Sequence, residues 1–374
     1  MRPPIVKDAP TLPLVHAAKS SLAKDSTYHR PKLNATFKKI ASTAGKIGIS
    51  LLLLGFLAYR AWQDPKFIEM AKGPKDWTLL AACGVLVWLA VTGTLIRWQM
   101  LARTLGLKLS LTDALRIGYL GYAVNLMPLG LVGGDALKAV FLARLNPDRK
   151  TEAVASVLVD RVIGLVALLV LAALSTFFFD IQSSRLASVK DAHQLNRVRD
   201  VVRILAAVSV VGCGALFLPG VTTWRIWDRA ARIPVIGGVI RRLMDALQIY
   251  RGRADQLLLM SLMSLVIHTL YVGMVFLAGG ALLLANGQPT LRPAFGSHFA
   301  FVPIAMAAGA LPIGVFEGTL DLLYDVFLSP ADQLAAANKG FLIAIIYRVL
   351  QILVAGVGLV YYLATRPASN VPQE

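Results

Sequence analysis

The chain alternates between long apolar runs and short charged stretches. Residues 77–96 and 257–285 contain no Asp, Glu, Lys or Arg. Roughly 20 such residues cross a bilayer as a helix. The pattern predicts spans at residues 47–62, 77–96, 152–179, 201–218, 257–285 and 340–364. Two further apolar stretches, at 117–132 and 294–328, are interrupted. The first break and its exit carry Pro128, Gly130, Gly133, Gly134 and Asp135, and the second carries Pro312, Gly314, Glu317 and Gly318. Lipid offers no partner to a free backbone N–H or C=O. Such breaks survive at membrane depth only where protein or a water-filled cavity lines them. One break in each half of a chain points to a transporter-like site near the midplane. The reading is an all-α polytopic integral membrane protein, with about six spanning helices and two broken, re-entrant segments.

Composition agrees with this class. Of 374 residues, 56% are hydrophobic and 16% charged, against about 25% charged in a soluble domain. The net charge of +17 gathers between the apolar runs. That is the positive-inside pattern of cytoplasmic loops, not a nucleic-acid surface. Residues 1–46 carry Lys or Arg at nine positions against Asp8 and Asp25. This tail is expected to be disordered and cytoplasmic, with a topogenic role or contact with anionic headgroups as open alternatives. Basic residues flank 117–132 on both sides, so that segment is expected to dip into the membrane and return to the cytoplasm. Few charges flank 294–328, which is read as entering from the opposite face. Residues 221–255 mix Arg225, Arg229, Arg241 and Arg242 with Trp224, Trp227 and Ile240, as interfacial amphipathic helices do. Residues 366–374 read as a cytoplasmic C-terminal tail. Cys83 and Cys213 both lie inside apolar runs and read as packing residues.

A charge in hydrocarbon costs at least about 2.5–3.5 kcal/mol, so every ionisable residue at depth needs a partner or a cavity. Asp135 and Lys138 stand three apart and can pair on one helix face, or Asp135 can cap a helix. Asp160 and Arg161 are adjacent and point about 100° apart, so each needs a separate partner. For Arg161 and Arg348 that partner is either a lipid phosphate, which fits the guanidinium fork, or an interhelical acid, such as Asp160 for Arg348. Glu317, Asp321 and Asp325 recur every fourth residue. Their common meaning is a solvated acidic stripe at the outer surface, with Glu317, at the break, the one assigned to a site. His268, alone in an apolar run, reads as a packed, hydrogen-bonded residue. The candidate lipid-handling set is Gly133, Gly134, Asp135, Lys138, Asp160, Arg161, Pro312, Glu317 and Arg348. The sequence holds no Gly-x-x-x-x-Gly-Lys loop, His-Glu-x-x-His or Gly-x-Ser-x-Gly, so no catalytic residue, metal or cofactor is assigned.

Gly-Gly-Asp-Ala-Leu-Lys at 133–138 and the run 153–165, which contains Asp160-Arg161, resemble the lysylphosphatidylglycerol synthase transmembrane (flippase-like) family. Leu311-Pro312-Ile313, Glu317-Gly318 and Arg348 extend the resemblance, which covers residues 47–365. It implies a bacterial or archaeal inner-membrane domain that moves a polar lipid between leaflets. Fused members add a cytosolic domain that attaches lysine from lysyl-tRNA, and this chain reads as the membrane part alone. Two positions depart from the family pattern. Lys138 stands where Arg is usual, and the glycine-rich run before Glu317 is shortened to Ile313, Gly314, Val315 and Phe316. The partners implied are membrane lipids, anionic or aminoacylated. Two other functions stay open: a membrane-embedded enzyme or accessory subunit acting on lipids or lipid-linked glycans, and a membrane partner whose 225–253 stretch docks a cytosolic enzyme.

Overall fold

The structure is a computed structural model. It describes residues 65–126, 133–178, 189–216, 237–283, 291–309, 314–328 and 338–365, with a few positions between 55 and 63 and at Arg229 and Ala231. The chain divides into two units, Met1–Gly45 and Lys46–Glu374. Every described residue lies in the second. The expectations for the 1–46 tail, most of the 47–62 span, most of 221–236, Pro128, Pro312, the Cys213 side chain and 366–374 fall outside the described residues.

The described residues form α-helices and no strands: α1 Pro65–Lys72, α2 Trp77–Thr104, α3 Leu111–Leu126, α4 Gly133–Leu145, α5 Lys150–Phe178, α6 Val189–Leu216, α7 Gly237–Arg251, α8 Ala254–Ala281, α9 Phe295–Ala308, α10 Val315–Val326 and α11 Lys339–Ala364. Among the described residues, four stretches are long and apolar enough to cross a membrane: Trp77–Thr104, Pro147–Phe177, Ala254–Ala281 and Lys339–Ala364. The protein is therefore an all-α polytopic membrane protein. Its outward faces fit a lipid solvent. Val85, Trp88 and Leu89 on α2, Leu262 and Val266 on α8, and Ile352 and Val357 on α11 are all exposed.

Local sequence sets the ends of these helices. Asp76 caps α2, its Oδ1 accepting the Thr78 and Leu79 N–H groups at 2.9 and 3.1 Å. Such a cap satisfies donors that the first helical turn leaves open. The helix then runs on through Arg97 and Arg103 to Thr104. Charge alone assigned those two arginines to a loop beyond a span ending at residue 96. Arg97 stays helical because it is buried and paired. α6 likewise begins at Val189 rather than at residue 201. From Val201 onward it exposes Ile204, Leu205, Val208 and Val211. α7 covers the described end of the expected interfacial region, and its Tyr250 hydroxyl donates to the Leu101 carbonyl of α2 at 3.0 Å.

Each broken segment folds as an antiparallel helix hairpin. In the first, Asn125 on α3 accepts the Gly134 N–H of α4 at 2.8 Å. One turn earlier on α3, Gly121 lies against Gly134 and the Lys138 side chain. In the second, Gly309 at the end of α9 approaches Phe316 at the start of α10. Phe301 meets Tyr324 and Phe327 further from the tip, at 5.8 and 5.1 Å between ring centroids. At 16 and 13 residues, α3 and α4 are about 24 and 20 Å long, short of a full crossing. α9 and α10, at 14 and 12 residues, are shorter still than a span. α11 packs against both hairpins, through α3 and through α10.

Candidate functional site

Three interhelical ion pairs organise the charges near the hairpin tips. On the first hairpin, Asp135 accepts two bonds from Arg161 of α5, from Nε at 2.7 Å and Nη2 at 2.6 Å. This bidentate fork is the strong form of a charge-assisted hydrogen bond. The Arg161 side chain is 53% exposed although Asp135, Asp160 and Tyr271 surround it. Its guanidinium is not sealed in a packed core. The neighbouring Asp160 turns the other way, to Arg97 of α2. Arg97 Nε donates to Asp160 Oδ1 at 2.9 Å, Nη2 to the Asp160 carbonyl at 3.1 Å, and Nη1 to Ser264 Oγ of α8. Both side chains are almost wholly enclosed.

The second hairpin carries the third pair. Arg348 of α11 donates to Glu317 Oε1 from Nη2 at 2.6 Å and Nε at 3.1 Å, and its Nη1 donates to Gln351 at 3.2 Å. Glu317 Oε2 also accepts the Gly314 N–H at 2.8 Å. Glu317, the third residue of α10, thus makes the half of a capping box that a glycine N-cap allows, accepting the N-cap N–H. Gly314 has φ of 102°, a backbone conformation open mainly to glycine.

A string of tyrosines lies between the two hairpins. Tyr271 of α8 is near Arg161 and Arg97 and packs edge-on against Tyr347 of α11, at 5.9 Å. Tyr347 meets Phe316, at the tip of the second hairpin, at 5.3 Å. Tyr122 of α3, its hydroxyl buried, lies close to Tyr271, Gln351 and Arg348. The described helix ends beside the two breaks therefore meet one polar region shared by α3, α5, α8, α10 and α11.

These pairings differ from those the spacing suggested. Asp135 pairs with Arg161 and not with Lys138, and Asp160 pairs with Arg97 and not with Arg348. Lys138 is 4% exposed and lies 5.3 Å from the centre of the Trp98 ring. No acid stands within ion-pair distance of it among the described residues. The acidic stripe does not face solvent. Glu317 and Asp321 are buried against α11, and Asp321 Oδ1 accepts the Phe341 N–H at 2.9 Å. His268 is packed as expected, its Nε2 2.9 Å from the Gly164 carbonyl. Cys83 is buried and donates to the Met274 carbonyl. Arg97, Ser264, Tyr122, Tyr271 and Gln351 join the site without having been selected from sequence. The uncharged ones carried no signal in an apolar run. Arg97 did carry one, since it breaks the run between residues 77 and 104.

The Gly-Gly step has a steric reason. A Cβ on Gly134 would overlap the Gly121 carbonyl oxygen and come within 2.6 Å of Asn125 Oδ1. Both obstacles belong to the facing helix, so backbone must move. Gly134→Ala is expected to cost about 1–3 kcal/mol, the range for overpacking, read as a lower melting temperature in detergent. Gly356→Ala on α11, where an added Cβ meets nothing within 4 Å, is the matched control and should melt no lower than the parent.

A polytopic helical membrane protein with paired hairpins and interhelical ion pairs is thus the class this fold defines. The sequence model described as the lysylphosphatidylglycerol synthase TM region matches residues 44–358, and the chain belongs to that family. Membership makes it a membrane protein linked to lipid handling. No curated protein and no solved structure matches the chain.

Proposed function

We propose that the protein translocates a polar phospholipid between the leaflets of the membrane it spans. The observation that carries this reading is the convergence of two helix hairpins, one from each half of the chain, on ion pairs joined through Tyr271 and Tyr347. A headgroup must cross about 30 Å of hydrocarbon, and polar side chains along a path lower that barrier while the tails stay in lipid. Arg161, open and doubly bonded to Asp135, stands where a headgroup phosphate can compete for its fork. On the outer face of α2 and α8 lies an apolar groove of about 500 Å³, lined by Leu89, Thr92, Ile96, Leu262, Val266 and Leu270, which suits an acyl chain. Residues 47–365 serve as the translocation domain, with membrane lipid as its partner. The basic stretches favour a cytoplasmic N-terminus and cytoplasmic 221–255 region in a bacterial or archaeal plasma membrane.

Purified protein in vesicles containing a fluorescent phospholipid is expected to speed leaflet exchange. Arg161→Gln, whose pair is open enough to contribute little to stability, is expected to slow exchange without unfolding the protein. An exchange rate equal to that of protein-free vesicles, for anionic, zwitterionic and aminoacylated lipids alike, would rule the reading out. A covalently altered lipid detected by mass spectrometry in those vesicles would instead favour a membrane enzyme.

A further inference from the structure

The charges around the first hairpin do not balance. Arg97, Lys138 and Arg161 face Asp135 and Asp160, three cations against two acids. Both acids are already committed, Asp160 to Arg97 and Asp135 to Arg161. Lys138 is left over. Its stem runs along Gly121, its ammonium lies beside the Trp98 ring, and it has no acidic partner or hydrogen bond among the described residues. The second site does not offset it, because Glu317 and Arg348 neutralise each other. A buried, uncompensated ammonium is costly, and that cost falls when an anion arrives.

We infer that the headgroup taken by this site bears a net negative charge, a phosphate ester with no compensating amine, and that Lys138 is its counter-ion. This deepens the translocation reading and rests on it. An aminoacylated headgroup would bring a cation to a cluster already in positive excess. A zwitterionic headgroup would bring an ammonium that neither acid is free to receive. A phosphodiester with a neutral alcohol supplies the missing charge, and free phosphate shares that chemistry without the acyl chains.

Binding can be read apart from transport, by native mass spectrometry of the full chain titrated with single lipids. Phosphatidylglycerol is expected to bind roughly 10- to 100-fold more tightly than phosphatidylcholine or lysyl-phosphatidylglycerol, the size of one charge-assisted hydrogen bond. Lys138→Met is expected to remove that preference, and Lys138→Arg to keep it. Inorganic phosphate at concentrations matching the lipid is expected to displace none of it. Equal binding of the three lipids by the parent protein overturns the inference with no variant needed. So does an undiminished preference in Lys138→Met, and displacement by phosphate alone would assign the site to a free anion. Selective binding without leaflet exchange would sink the translocation reading and leave the charge assignment standing.

Discussion

Asp160→Ala is expected to cost about 3–5 kcal/mol, the range for removing one partner of a buried ion pair. The substitution strips the Arg97 guanidinium of its acid while Ser264 and Gly164 keep it enclosed. Only the Asp160 carbonyl and Ser264 would remain as acceptors, and neither carries charge. Thermal melting of the purified protein should show a large drop, larger than for Gly134→Ala. The companion variant Arg97→Leu with Asp160→Leu removes both charges together. Apolar replacement of a buried pair is often neutral or stabilising, so the double variant should recover most of the lost stability. A double variant that melts as low as the single one would show that packing, not the unpaired charge, sets the cost.

Glu317→Ala follows as the second large effect, at about 3 kcal/mol, the low end of the same range. The lower figure reflects Arg348, whose side chain is 29% exposed and can draw on water. Two functions are lost at once, the bonds to Arg348 and the acceptor for the Gly314 N–H. Glu317→Gln separates them, since a glutamine can still accept the N–H but carries no charge. Melting temperatures should rank parent, then Glu317→Gln, then Glu317→Ala. Equal melting of the two variants would mean that the cap contributes nothing measurable.

Much of the architecture was legible because it follows from one-dimensional signals. Uncharged runs marked α2 and α8. Glycine, proline and acid together marked both hairpins, and Glu317 was placed in the site because it sits at a break. The partners were not legible. Spacing tells which residues share a helix face, but not which neighbouring helix that face meets. Asp135 and Lys138 satisfy the spacing for a local pair, yet Asp135 faces α5 while the Lys138 stem lies against Gly121 of α3. The same four-residue repeat that describes a solvated stripe describes Glu317 and Asp321 turned toward α11, where Arg348 and the Phe341 N–H receive them. Arg97 fell outside the expected 77–96 span because the uncharged run ends there, and the acid that receives it lies 63 positions away in the chain.

The Gly121–Gly134 contact separates two strengths of attachment. Within the first hairpin, backbone rests on backbone with an Asn125 bond across the tip, and in the second a capped helix start follows the turn. Between each hairpin and the surrounding helices, the ties near the tip are guanidinium–carboxylate forks. A fork can trade one oxygen anion for another of similar geometry, whereas an apposed backbone has nothing to trade. In the proposed translocation, displacement near the tips would therefore be an ion exchange between hairpins that keep their shape, governed by which anion is on offer rather than by helix melting.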